Sequence, residues 1–149
     1  MSLFSVLSVS ASGMSAQRTR AELLAENLAN ADTTRTPEGG PYRRKDAVFA
    51  TDFAASPFAS IFEAQQSAIA GAGPEGVGVA DIVVDTRDPE RRYLPGHPDA
   101  DAEGYVAFPR VNPAEDMVDL MDASRGYQAN VSAITAIKDM IQRSIDLLR

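Results

Sequence analysis

Asn112-Pro113-Ala114-Glu115-Asp116-Met117-Val118-Asp119-Leu120 opens the last quarter of this 149-residue chain, and its reading decides the fold. Asn112 is an N-cap, Pro113 carries a φ preset for the first helical turn, and Glu115 stands at the capping-box position. From there Leu120, Tyr127, Ile134, Ile141 and Leu148 recur at heptad spacing, with a partner column of Met117, Ser124, Val131, Lys138 and Ile145. Such a repeat predicts an amphipathic helix that seeks a coiled-coil partner. Acids crowd its first turns (Glu115, Asp116, Asp119, Asp122) and Lys138, Arg143 and Arg149 come late, an order that complements the helix dipole. A second apolar column, Ala133, Ile137, Met140 and Leu147, makes the apolar face wider than a two-stranded coil needs. More than one partner is therefore expected.

The other end of the chain supplies the first partner. Leu7, Met14, Ala21 and Leu28 form one heptad column and Leu3, Ser10, Gln17, Leu24 and Ala31 another. Gly13 and the many serines weaken this helix, which is marginal alone in water. The fold class expected is α+β: two long terminal helices in an antiparallel coiled-coil-like pair, with a small β-rich middle region. The expected divisions are an N-terminal helix over 1–31, a loop and β-rich outer region over 32–111, and a C-terminal helix over 112–149.

The middle is rich in Gly, Pro and Asp. Two prolines and two glycines within 32–41 stop the first helix. Tyr42 to Phe49 reads as a strand, Ala54 to Ala72 as loop or short helix, and Val77 to Val84 as a strand by its β-branched content. Arg92-Tyr93-Leu94 and Tyr105-Val106-Ala107-Phe108 flank a Pro/Gly/Asp turn and predict a hairpin.

Composition narrows the function. The net charge of −7 argues against general nucleic-acid binding and against docking on an anionic membrane. With no cysteine, disulfides and thiolate metal sites are impossible. No apolar run approaches the roughly 20 residues of a membrane-spanning helix. MSLFSVLSVSASGMSAQ lacks a positive n-region and its apolar residues are broken by serines, so a cleaved signal peptide is not expected.

Candidate chemistry is thin. Asp99, Asp101, Glu103 and Gly104 imitate the start of a calcium loop, but Arg110 stands where the bidentate glutamate belongs, so an acidic turn is the reading. His97 is the only histidine, has no second histidine or cysteine to complete a zinc site, and lies in a Pro/Gly turn. No phosphate-loop or dinucleotide fingerprint and no nucleophile elbow occurs. No catalytic residue, metal site or cofactor is assigned. Arg35, Arg43, Arg44 and Lys45 form the one basic cluster, and in so acidic a chain they suit an outer contact with carboxylates on a neighbouring protein surface.

Glu26-Asn27-Leu28-Ala29-Asn30-Ala31-Asp32-Thr33-Thr34 resembles the Asn-Leu-Ala-Asn motif of flagellar rod and hook proteins. The physical reading stands beside it: Asn27 and Asn30 can bond backbone groups where the helix ends and the chain turns. The stretch Thr33 to Lys45, then Pro95-Gly96-His97-Pro98-Asp99-Ala100-Asp101 with Gly104-Tyr105-Val106, is similar to the proximal-rod family of the bacterial flagellar basal body. So are Val111-Asn112-Pro113, Met117-Val118-Asp119, Ala123-Ser124-Arg125 and Ala129-Asn130-Val131. Ala50 to Gly76 carries no family motif, and Gly126 stands where alanine is expected.

The resemblance implies a structural subunit that polymerises through its terminal helices into a tubular shaft transmitting torque. It implies contacts with copies of itself, other rod proteins, the MS-ring and basal-body components, and the flagellar export apparatus. It places the chain in the periplasmic rod, exported without a cleaved signal peptide. The expected assembly interface is Leu7, Met14, Leu24, Asn27, Leu28 and Asn30 on the first helix, with Leu120, Tyr127, Val131, Ile134, Ile141, Ile145 and Leu148 on the last. A soluble helical adaptor in type III flagellar export is the alternative.

Overall fold

A computed structural model describes residues 3–52 and 76–147. The chain order is α1 (Leu3–Ala29), β1 (Lys45–Asp52), β2 (Gly76–Val84), β3 (Glu90–Tyr93), β4 (Tyr105–Phe108) and α2 (Pro113–Leu147). This is the expected α+β architecture, with long terminal helices and a small β region between them. The 27 residues of α1 span ~40 Å and the 35 of α2 ~52 Å at 1.5 Å per residue.

Each element follows from local chemistry. Asn112 caps α2 and Pro113 opens it, as expected: Asn112 Oδ1 accepts from the Ala114 N–H at 3.2 Å, and Asn112 O accepts the Asp116 N–H at 3.0 Å. The expected hairpin is present, β3 pairing with β4 antiparallel in the register Glu90↔Phe108 to Tyr93↔Tyr105. Its turn closes on Asp101, whose Oδ1 accepts from the Glu103 and Tyr105 N–H groups. Gly104 takes φ +85° there, a left-handed conformation that glycine adopts without strain. The first strand begins at Lys45 rather than Tyr42, because the Tyr42 N–H is spent on Thr33 O. β1 and β2 make a two-stranded sheet. The loop or helix expected over Ala54–Ala72, and Leu148, lie outside the described residues.

By packing, the chain divides into two compact units, and the division crosses both helices. The first unit comprises Met1–Arg18, Phe49–Ala80 and Ser124–Arg149. In it Gly13 faces Asn130 and Gln17 faces Gly126, numbers that rise on one helix and fall on the other, so the pair is antiparallel. Ser12 Oγ also accepts the Val77 N–H at 3.1 Å. The second unit comprises Thr19–Val48 and Asp81–Ala123. There Arg20 Nη2 lies 3.4 Å from Asp119 Oδ1, and Val106, Phe108, Leu23, Leu24 and Tyr42 are buried.

The buried stripes correct one column on each helix. On α2 Leu120, Ile134 and Ile141 keep their place, partnered by Asp116, Ala123, Asn130 and Ile137, while Tyr127 is exposed along with Met117, Ser124, Val131, Lys138 and Ile145. On α1 the buried residues are Ser10, Gly13, Ala16, Leu23, Leu24 and Asn27, so the Ser10 and Leu24 column is kept, whereas Leu7, Met14 and Leu28, like Gln17 and Arg20, are half-buried. Size explains this. Glycine, alanine, serine and asparagine let two helices approach closely, and the bulkier side chains are turned to the flanks.

Candidate assembly interface

The site begins where α1 ends. Asn27 is fully buried, and its side chain treats Lys45 as a strand neighbour would. Its Oδ1 accepts the Lys45 N–H at 3.0 Å, and its Nδ2 donates to Lys45 O at 2.9 Å. The Tyr42 hydroxyl donates to the same Oδ1 at 2.9 Å. Burial, with Glu26 close by, pushes the Tyr42 hydroxyl up to about 12, so it remains a donor across the ordinary pH range. Asn30 Nδ2 donates to Glu26 O at 2.9 Å and closes the last turn, and its Oδ1 accepts from Thr33 Oγ1. Both asparagines do what the motif's chemistry anticipated, with Asn27 turned wholly inward.

A charge network lies in the same unit. Asp116 is 1% exposed, and Arg44 Nη2 approaches its Oδ1 to 3.1 Å as an ion pair without hydrogen-bond alignment. Arg44 also lies 3.2 Å from Asp46 and 3.9 Å from Asp119, which Arg20 meets from α1. Burial raises the Asp116 carboxyl above its usual range, and Arg44 only partly opposes that. Burial alone would lower Arg44, but Asp46 and Asp116 more than offset it.

The basic cluster read as an outer contact is thus largely engaged within the chain. Arg44 serves Asp116, Lys45 Nζ meets Glu26 Oε1, and Arg43 Nη1 donates to Asp85 O at 3.0 Å. Arg35, its side chain 81% exposed, lies 3.8 Å from Asp99. Asp99 also accepts from Thr34 Oγ1 at 2.8 Å, and its N–H donates to His97 Nδ1 at 3.1 Å. The Pro95–Asp101 turn is therefore a strap onto the segment after α1.

Sequence reasoning missed Asp116 as the seat of this network. Asp116 falls on the same heptad column as Ala123, Asn130 and Ile137, where a buried carboxylate needs a cation beside it, but heptad counting ranks that column below the more apolar one of Met117 and Val131.

What remains outside the seam is apolar. Met117, Val118 and Met121 are each more than half exposed. Tyr127, Val131, Met140, Ile145 and Leu147 are exposed as well, Leu147 at 87%. Leu7, Met14, Leu28, Leu120, Ile134 and Ile141 are half-buried, and Leu24 is buried. With charged residues such as Asp139 and Arg143 between them, these exposed apolar side chains leave α2 the surface of a subunit that packs in a larger assembly. Among the described residues no group of three metal-ligating side chains gathers, and no helix is long and apolar enough to cross a membrane.

Comparison with known proteins supplies the identity of that assembly. Residues 7–35 match the family described as flagella basal body rod protein, and residues 102–147 match that described as flagellar basal body rod FlgEFG protein C-terminal. The chain is 42% identical to the flagellar basal-body rod protein FlgC of Bacillus subtilis, with 99% of each chain covered. It is 39% identical to the FlgC of Borreliella burgdorferi, covering 100% of this chain and 99% of that one. Against Escherichia coli FlgC the identity is 38%, over 99% and 98%. The chain belongs to the FlgC family of flagellar basal-body rod proteins. It is a structural subunit of the rod.

Proposed function

We propose that the chain polymerises through the outer faces of its two terminal helices, so that neighbouring copies and other rod proteins complete a tube that transmits torque. The observation that carries this reading is the large apolar surface left outside the intrachain seam. Val118, Met121, Tyr127 and Val131 are the α2 anchors, and Leu7, Met14 and Leu28 are those of α1. Burying one such side chain stabilises a contact by about 1.5–3 kcal/mol, so a few per neighbour suffice. The chain then has no catalytic role, needs no cofactor, and sits in the periplasmic rod beside other basal-body components. Export as an unfolded chain by the flagellar type III apparatus, without a cleaved signal peptide, fits the weak intrinsic helicity of α1.

The test is a double change, Met121→Asp with Val131→Asp, in a motile host. Loss of swimming, with basal bodies lacking the subunit and the purified chain still helical, is the expected result. Normal motility with the variant incorporated in basal bodies would refute the helix-face interface.

A further inference from the structure

Two glycines lie inside helices at positions where intrinsic helix propensity alone would favour alanine. A Cβ placed on Gly13 would sit 2.9 Å from Asn130 Nδ2 and 3.1 Å from its Oδ1. One placed on Gly126 would sit 3.2 Å from Gln17 Cδ and 3.3 Å from its Nε2. Each glycine is therefore a notch in one helix that receives an amide side chain of the other, and the two notches face in opposite directions. Asn130 Nδ2 donates to Gly126 O at 3.0 Å, which ties one amide to the other notch. Gln17 Oε1 is sealed from solvent without a hydrogen-bond partner.

We propose that Gly13, Gln17, Gly126 and Asn130 form a register lock, a polar layer that admits one alignment of the terminal helices and rejects those slid by a heptad. The apolar columns cannot do this alone. Ala16 and Leu23 stand seven residues apart on α1, and Leu120, Ile134 and Ile141 lie at heptad multiples on α2, so a heptad slip keeps apolar side chains at apolar positions. The slip instead sets Asn130 against Val6 or Arg20, and Gly126 against Ser10 or Leu24. Neither notch is then filled by its amide, and Asn130 meets a side chain where it now meets none. A buried polar residue at one seam position fixes register at a cost in stability, and the unpaired Gln17 oxygen is part of that cost. These four residues position the helices. The inference concerns alignment within one chain and stands apart from the polymerisation reading.

The absence of cysteine makes the test clean. Spin labels at Ser8→Cys and Ser132→Cys, both exposed, report the distance between the helices of the full chain by double electron–electron resonance. The reference chain is expected to give one narrow distribution. Adding Gln17→Leu with Asn130→Leu is expected to add populations slid by a heptad, about 10 Å along the axis, with the melting temperature unchanged or raised. A broad distribution in the reference chain, or an unchanged narrow one in the leucine variant, overturns the lock. If the leucine variant loses its helical circular dichroism, Gln17→Ala with Asn130→Ala replaces it. Helix loss there too would mean that the amides supply folding energy and do not select register, which also overturns the proposal. Rod incorporation is a separate readout, so failure here leaves the polymerisation reading untouched.

Discussion

The knot around Asn27 and the part of α2 beyond Ala123 handle their surfaces in opposite ways. At the knot, one buried amide answers the N–H and C=O of Lys45 and the Tyr42 hydroxyl, and the charges beside it are paired within the chain. Beyond Ala123, amides and a glycine share the seam with Ile134, Ile137 and Ile141, and Val131, Met140, Ile145 and Leu147 face outward. The first arrangement spends its interactions on holding one subunit together. The second withholds apolar surface from the subunit, and such surface gains its stabilisation only when a neighbour covers it. A rod protein needs both, because a subunit that satisfied all its own surface would have nothing left with which to polymerise.

The largest expected effect breaks the contrast on α2 itself. Ile137 is buried and Val131 exposed, so the same change should act through different routes. Ile137→Asp places a carboxylate in the seam and should cost the isolated chain more than about 4 kcal/mol, leaving it largely unfolded. Val131→Asp should alter the isolated chain by less than about 0.5 kcal/mol yet block incorporation into basal bodies. Denaturant unfolding of the purified chains, set beside isolated basal bodies, checks both. Equal destabilisation by the two changes would erase the division between seam and outer face.

Next comes the knot. Asn27→Ala orphans the Lys45 N–H, the Lys45 carbonyl and the Tyr42 hydroxyl at a solvent-free position. At about 1–3 kcal/mol per unsatisfied group, and with less than full additivity, a loss of about 3–5 kcal/mol is expected in urea unfolding. Asn27→Asp should fall only part-way short of that loss, since its carboxylate can still accept from Lys45 N–H and Tyr42 but opposes the Lys45 carbonyl. An alanine variant as stable as the parent would mean that the motif acts in assembly alone.

Much of this contrast is legible in the residues. The Asn112–Glu115 start, the β3–β4 hairpin and the backbone-bonding role of Asn27 and Asn30 follow from local rules about caps, turns and amide geometry. The second seam columns did not follow, because heptad counting ranks positions by hydrophobicity whereas close helix approach selects by size. Gly13, Ala123 and Gly126 therefore hold seam positions that heptad counting assigns to Met14, Met117 and Val131. The cation for Asp116 was also illegible, since Arg44 comes from a distant segment and nothing local joins the two. Which outer residues meet which neighbour is a property of the polymer, and a single chain's periodicity does not encode it.

Acidity separates the charged groups. Asp85 is held down to about 2, first by the hydrogen bond from Arg87. Its folded value lies below its unfolded one, so its contribution is present above about 4 and is lost as pH falls toward 2. Asp116 is raised, so the native state binds the proton more tightly than the unfolded chain does. Its sign is opposite: stability falls as pH rises from about 4 through its raised value. Asp116→Asn should therefore flatten the loss above pH ~4, while Arg44 keeps Asp46 and Asp119 as partners. Asp85→Asn should flatten the acid side alone. Urea midpoints across pH read both slopes, and a shared window for the two variants would contradict the burial of Asp116.

The smallest effect tests the notches. Alanine at either glycine gains helix propensity of about 0.5–1 kcal/mol. At Gly126 the new Cβ presses on Gln17 at 3.2–3.4 Å, and that long side chain can shift a few tenths of an ångström. Displacing it from its rotamer costs about 0.5–1.5 kcal/mol, so Gly126→Ala should change stability by no more than about 0.5 kcal/mol. At Gly13 the approach is 2.9 Å, the neighbour is the shorter Asn130, and any retreat strains its bond to Gly126 O. That bond is worth about 1 kcal/mol, which outweighs the propensity gain once the displaced rotamer is counted, so Gly13→Ala should destabilise by about 1 kcal/mol. The order of the two carries the argument. If Gly13→Ala proved the more stable variant, Asn130 would not be seated against that glycine, and the seam would owe its small residues to something other than the amides opposite them.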